Sequence, residues 1–379
     1  MGNESFVRWL KDAKPYFGVL FLQLSYAASS LISKSALNQG MNHYIFVVYR
    51  NIIAAVVFAP FAMLFERKIR PRMTINIFLK IMLLALLEPV IDQNLYYAGM
   101  KYTTATFATA MCNVLPAITF LLAWILRLEN VKIRSLHSQG KIVGTILTIG
   151  GAMIMTLVRG HIIGLPWTTK HAPQTQSTDA ATEHDHLKGA VMIAAGCFCW
   201  SCFYILQAIT LKSYPAGLSL TCLICMAGAL QSTVLTLVVE RDNYAIWALH
   251  WDTTFLAYVY NGIIRSGVVY YISGIIMSEK GPFFVTAFNP LSMIMVAIVG
   301  SFMLAEQLDF GKVFGAVVII VGLYLVIWGK SKDVPSSKSS EDDNINIALS
   351  NNKESILAKP STEERTDDTI KIRTLDDAV

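Results

Sequence analysis

The stretch KIVGTILTIGGAMIMTLVRG, Lys141 to Gly160, has a near echo late in the chain: KVFGAVVIIVGLYLVIWGK, Lys312 to Lys330. Each opens Lys-x-x-Gly and carries another glycine seven residues on, Gly144 and Gly151 in the first, Gly315 and Gly322 in the second. Seven residues make about two helical turns, so each pair of glycines lines one face and lets a second helix come close. The runs just upstream also correspond. One contains Asn113 and Pro116, the other Asn289 and Pro290, and each is followed by an acid, Glu129 or Glu306. Together these matches read as an internal duplication.

The rest of the chain shares this apolar character. It has 379 residues, of which 54% are hydrophobic and 15% charged, with a mean hydropathy of +0.50, far from the composition of a soluble globular protein. A helix crosses a hydrocarbon core with roughly 20 mostly apolar residues. Ten such runs occur, near 16–37, 44–64, 77–98, 104–126, 140–158, 187–208, 217–239, 253–275, 282–304 and 310–328. The expected fold is an all-α polytopic membrane protein of ten transmembrane helices. It divides into a cytoplasmic N-terminal segment (1–15), a first five-helix repeat (16–158), an extracellular or luminal hinge loop (159–186), a second five-helix repeat (187–330) and a disordered cytoplasmic tail (331–379). Because five is odd, the second repeat threads the membrane in the opposite sense to the first, an architecture of secondary transporters that hold substrate at the midplane between repeats.

Positive charge sets the orientation. Lys and Arg gather in the loops that follow the even-numbered runs, as in Arg67, Lys68, Arg70 and Arg72, which places both termini in the cytoplasm. Beyond Ser331 acids outnumber bases and the segment has too little apolar surface to fold. The basic balance therefore marks topology, and no nucleic-acid partner is expected. The six cysteines all fall inside the predicted spans, and Cys199-x-x-Cys202 and Cys222-x-x-Cys225 read as apolar packing more readily than as metal ligands. No phosphate loop, HExxH or GxSxG is found, so neither enzymatic chemistry nor a cofactor or metal is expected.

The most informative residues are charges at bilayer depth. LLEPVIDQNLYYAG, Leu86 to Gly99, puts Glu88 halfway along the third run, and Arg265 lies halfway along the eighth, its equivalent in the other repeat. Each costs roughly 2.5–3.5 kcal/mol at a helix centre and so is paired, hydrated or functional. Two readings stand: Glu88 and Arg265 form a salt bridge locking the halves, or they hold the ammonium and carboxylate of an α-amino acid. Asp92 is one turn beyond Glu88 and at the depth of Arg50, so that pair reads first as structural and second as a site of proton coupling. Pro89 loosens the backbone beside them. Other polar residues at depth are Gln23, Gln93, Asn94, Asn113, Gln207, Asn261 and Asn289, interleaved with Tyr26, Tyr96, Trp200 and Tyr204. Of these, Gln23, Asn113, Gln207, Asn289 and Tyr96 join Glu88 and Arg265 as candidate substrate contacts.

YRNIIAA (49–55), FERKIRPRMT (65–74), LLEPVIDQNLYYAGMKYTTATF (86–107), NVLPAITFLLAW (113–124) and GPFFVTAFNPLSMIMVAI (281–298) resemble the plant nodulin-21-like proteins, also called WALLS ARE THIN-related or UMAMIT transporters. The resemblance spans nearly all of residues 16–333. It implies two EamA domains of the drug/metabolite transporter superfamily, a ten-span fold with a central cavity, and residence in the plasma membrane or, for some members, the vacuolar membrane. It also implies transport of small molecules: amino acids in either direction for many relatives, auxin or other metabolites for others. The family pattern carries a small residue, often cysteine, where this chain has Arg265, so the resemblance implies that a substrate contact by Arg265 is not a family-wide mechanism and leaves it a role in tuning selectivity in this chain. A membrane scaffold or receptor with a vestigial cavity is the reading of another class, and the number of polar groups at depth argues against it.

Overall fold

Helices account for almost all of the described chain. The structure, a computed structural model, describes residues 2–102, 111–128, 135–158, 162–163, 180–241, 247–248, 253–303 and 308–330. Glu129, Glu306, most of the hinge loop and the whole tail lie outside them. Residues Met1–Asp333 form one unit and Val334–Val379 another. The helices are α1 (Gly2–Asn38), α2 (His43–Phe65), α3 (Ile75–Ala85), α4 (Gln93–Tyr102), α5 (Leu115–Ile125), α6 (Leu136–Leu157), α7 (Ala180–Ser213), α8 (Gly217–Val239), α9 (Thr253–Tyr260), α10 (Val269–Lys280), α11 (Pro282–Ala287), α12 (Asn289–Met303) and α13 (Phe310–Lys330). Two π-helical segments complete the set. Segment π1 (Leu86–Asp92) joins α3 to α4 and π2 (Asn261–Val268) joins α9 to α10, so each trio forms one unbroken rod.

Five of these helices are, by length and composition, able to cross a membrane: those containing Ala13–Leu37, His43–Phe65, Leu187–Ser213, Gly217–Val239 and Val313–Lys330. Several of the other expected spans are present as shorter pieces. The third and eighth change from α- to π-helix and back at π1 and π2 within one continuous rod, and the ninth is divided at Phe288, between α11 and α12. Large apolar side chains such as Val56, Leu64, Ile146, Leu230 and Val317 point outward on the long helices. In water such a surface would aggregate; against lipid it is the expected exterior. One departure from all-α is a two-residue antiparallel pairing of β1 (Ile162–Ile163) with β2 (Leu308–Asp309).

The duplicated glycines meet each other. A Cβ on Gly144 would lie 2.6 Å from the Gly322 carbonyl oxygen, one on Gly322 would lie 2.7 Å from the Thr148 amide nitrogen, and one on Gly151 would lie 2.8 Å from the Ile319 amide nitrogen. Helices α6 and α13 therefore run antiparallel with their backbones in contact, a packing that only a glycine face allows. His137 stacks on Trp328 at 4.7 Å at one end of this pair, and the β1–β2 pairing lies at the other.

Helices α2 and α8 form a second antiparallel pair, tied at both ends by carboxylates. Glu66, the C-cap of α2, accepts from the backbone N–H groups of Leu218 (2.9 Å) and Ser219 (2.6 Å) in the first turn of α8. Arg70 adds two donors to the Ser219 hydroxyl. At the opposite end Glu240, the C-cap of α8, accepts from Asn42, the N-cap of α2, at 2.9 Å. A carboxylate on the exposed N–H groups of a first helical turn also meets the positive end of the helix dipole.

Candidate functional site

Pro89 has no N–H to give its helix, and the chain answers by widening into the π-helical turn of π1. The Gln93 N–H accordingly reaches the Glu88 carbonyl five residues back. In π2 the Val269 N–H reaches the Ile264 carbonyl in the same way, without a proline. Close packing fixes this second segment. A Cβ on Gly262 would lie 2.8 Å from the Arg50 carbonyl of α2, while Pro89 of π1 packs on Gly228 of α8, where a Cβ would lie 2.9 Å from it. Each π segment thus leans on the helix that the other half contributes to the α2–α8 pair.

The two segments bring the intramembrane charges together. Arg265 Nη2 lies 3.3 Å from Glu88 Oε1. Arg50 Nη2 lies 3.7 Å from Glu88 Oε2, and Arg50 Nη1 donates to Gln93 Oε1 at 2.9 Å. The Gln93 amide then donates to Glu88 Oε1 at 2.9 Å and to Asp92 Oδ2 at 3.0 Å. Two acids, two guanidiniums and one amide make a buried cluster with formally balanced charge. Pairing of Arg50 with Asp92, expected from their depth, is replaced by pairing of Arg50 with Glu88. The i→i+5 turns of π1 change the register, and Asp92 faces α7, its Oδ1 2.9 Å from where a Cβ on Gly196 would sit.

One edge of the cluster opens into a cavity of about 80 Å³, lined in part by Tyr26, Asp92, Tyr96, Asn113, Arg265 and Asn289. One water needs ~10–15 Å³ on the same footing. The Arg265 guanidinium lies 4.6 Å from the Tyr26 ring and 5.3 Å from the Trp200 ring, and Tyr26 shares a 2.7 Å hydrogen bond with Tyr204. Arg265 Nη1 has no hydrogen-bond partner among the described residues. Asn113 donates to the Met293 sulfur at 3.3 Å. Asn113 and Asn289 both sit where a helix is interrupted, the first just before α5 and the second at the start of α12.

Three of the seven candidate contacts, Gln207, Gln23 and Glu88, do not line the cavity. Gln207 donates to the Tyr270 carbonyl at 3.2 Å and so joins α7 to α10. Gln23 is fully buried, with no partner for its amide among the described residues. Glu88 and Arg50 lie behind the cavity wall. In their place the cavity takes Gln93 and the serines of α1, Ser29, Ser30 and Ser33. YAASSLIS, residues 26–33, carries the signal that could have found them, since positions 26, 29, 30 and 33 share one helical face. Along α1 and α12 the lining runs toward Ser33 and Val296. The other way lies an aromatic cluster, with Tyr16 5.4 Å from Phe284, Phe284 5.2 Å from Phe288 and Phe120 4.8 Å from Phe283.

Comparison with known proteins gives this arrangement a family. A profile described as the EamA-like transporter family matches residues 13–157 and again 187–328. The chain belongs to the EamA-like transporter family. Among related family members, two WAT1-related proteins of Arabidopsis thaliana are 56% and 55% identical to it. The first alignment covers 88% of this chain and 89% of the relative, the second 86% and 85%. A solved crystal structure superposes with a TM-score of 0.61 over 83% of this chain and 96% of that one, at 13% identity, which is a likeness of fold alone. Membership in the EamA-like transporter family makes this a multi-pass membrane protein whose relatives are transporters, and the plant relatives agree with the resemblance read from the sequence.

Proposed function

We propose that the chain is a secondary transporter that moves amino acids across the plasma membrane by alternating access, with transport possible in both directions. The observation that carries this reading is the cavity wall, which presents Arg265 and Asp92 together with the amides of Asn113 and Asn289. An α-amino acid is a zwitterion. Its carboxylate suits the Arg265 guanidinium at the cavity wall, and its ammonium suits Asp92. Glu88 holds Arg265 from behind, and Gln93 fixes both acids. Asp92 is also the group placed to take up a coupling proton from the cavity.

The fold that accompanies this reading is ten membrane spans in two inverted repeats. Support comes from three equivalent pairs that meet across the halves: α6 with α13, α2 with α8, and the two π segments through Glu88 and Arg265. Both termini then lie in the cytoplasm, in the plasma membrane or the vacuolar membrane. The test is uptake and efflux of a radiolabelled amino acid panel in oocytes, with surface expression matched, for the wild type, Glu88→Gln and Arg265→Ala. Loss of amino acid movement in well-expressed variants supports the reading; normal movement in both sinks the assignment of these charges.

The Tyr26 and Trp200 rings beside Arg265 favour one second reading, an aromatic or indolic carboxylate bound by the same guanidinium. Competition between labelled glutamine and indole-3-acetate separates the two.

A further inference from the structure

We propose that Cys112 and Cys197 form a peroxide-oxidisable dithiol whose disulfide ties the two halves of the transporter together beside the cavity. Their sulfur atoms are 3.7 Å apart. Cys112 lies just before α5 in the first half and Cys197 lies on α7 in the second, so the contact bridges the halves. Cys112 lines the cavity, whereas Cys197 is buried behind it at 2% exposure. All six cysteines are free thiols. The other buried ones are placed differently: Cys222 faces the Ala55 carbonyl at 3.7 Å and Cys225 faces the Ser266 carbonyl at 3.5 Å. The Cys112–Cys197 contact therefore combines a second thiol, a wet face and a position across the moving boundary.

The oxidant is a hydroperoxide small enough to enter the cavity, such as hydrogen peroxide. The Cys112 sulfur attacks one peroxide oxygen, the O–O bond breaks, and Cys112 becomes a sulfenic acid with release of one water. The Cys197 sulfur then attacks the Cys112 sulfur, the S–O bond breaks, and the oxygen leaves as a second water carrying the Cys197 proton. Two thiols lose two electrons and one peroxide gains them. The sulfur atoms close from 3.7 Å to about 2.05 Å. Bonding these residues stops any relative motion of the first and second halves at that wall. The effect on transport rests on the alternating-access reading above; formation of the bond does not.

The test uses the full chain in liposomes, treated with hydrogen peroxide and then with dithiothreitol, beside a Cys197→Ser variant. Cys197→Ala serves in its place if the serine hydroxyl is not tolerated at that buried position. The expected result is a Cys112–Cys197 cross-linked peptide by mass spectrometry in the wild type, with reversible loss of transport. The variant keeps transport through the same treatment. Absence of the cross-linked peptide overturns the proposal, as does equal loss of transport in the variant. A cross-linked peptide in a chain that moves no amino acid upholds the dithiol and counts against the amino acid reading alone.

Discussion

Gln93 joins three of the four charged groups of the cluster, since its carbonyl accepts from Arg50 and its amide serves both acids. Replacing it by methionine of similar length leaves three charged groups short of a partner. Buried groups stripped in this way cost about 1–3 kcal/mol each, more when charged, so Gln93→Met is expected to lower the unfolding temperature of detergent-purified protein sharply. The two guanidiniums separate by location. Arg50 is wholly buried behind the cavity and Arg265 lines it. Arg50→Met is expected to cost folded yield, because Glu88 and Asp92 then share one guanidinium and the buried cluster carries a net negative charge; Arg265→Met, at the cavity wall, is expected to cost transport first, measured at matched surface expression. At this scale the sequence was partly legible. Glu88, Asp92 and Arg265 stand out because a charge at bilayer depth is rare, whereas Gln93 is one polar residue among several. Which acid meets Arg50 depended on the π turns, and a count of residues along a straight helix has no term for those.

The duplicated glycines are the clearest case of an element read correctly from spacing. Gly144, Gly151 and Gly322 face the partner backbone at distances no side chain fits. Gly322→Ala is expected to destabilise by about 1–3 kcal/mol through overpacking. Gly150, next in line to Gly151, is the control: a Cβ there meets nothing within 4 Å, so Gly150→Ala is expected to be neutral or to stabilise by up to about 1 kcal/mol. Thermal unfolding of the two variants side by side checks both. The carboxylate ties were not legible, because Glu66 and Glu240 sit in loops beside many charges and only the folded helices show which N–H groups they reach. Removing the Glu66 cap with Glu66→Ala is expected to cost about 1–2 kcal/mol. Hydrogen exchange at the Leu218 and Ser219 amides is expected to rise with it, and unchanged protection there would rule out the cap. The π segments were also hard to foresee. Pro89 announces π1, but π2 has no proline and follows from packing against α2.

For the whole molecule, the contact between Glu66 and α8 and the contact between Asn42 and Glu240 exist at the same time, at opposite ends of one helix pair. A barrier that alternates must be broken on one face while it is made on the other. A contact present on both faces together belongs to neither barrier. If transport proceeds by alternating access as proposed above, the α2–α8 pair is its fulcrum, and the closely packed α6 and α13 move as one with each other. Spin labels at the two ends of α2 and α8 are expected to keep their separations when substrate is added, while labels on α4 and α12, on the cavity wall, change theirs. A molecule built this way does its work like a balance beam, where the pivot is the one place that a moving load never displaces.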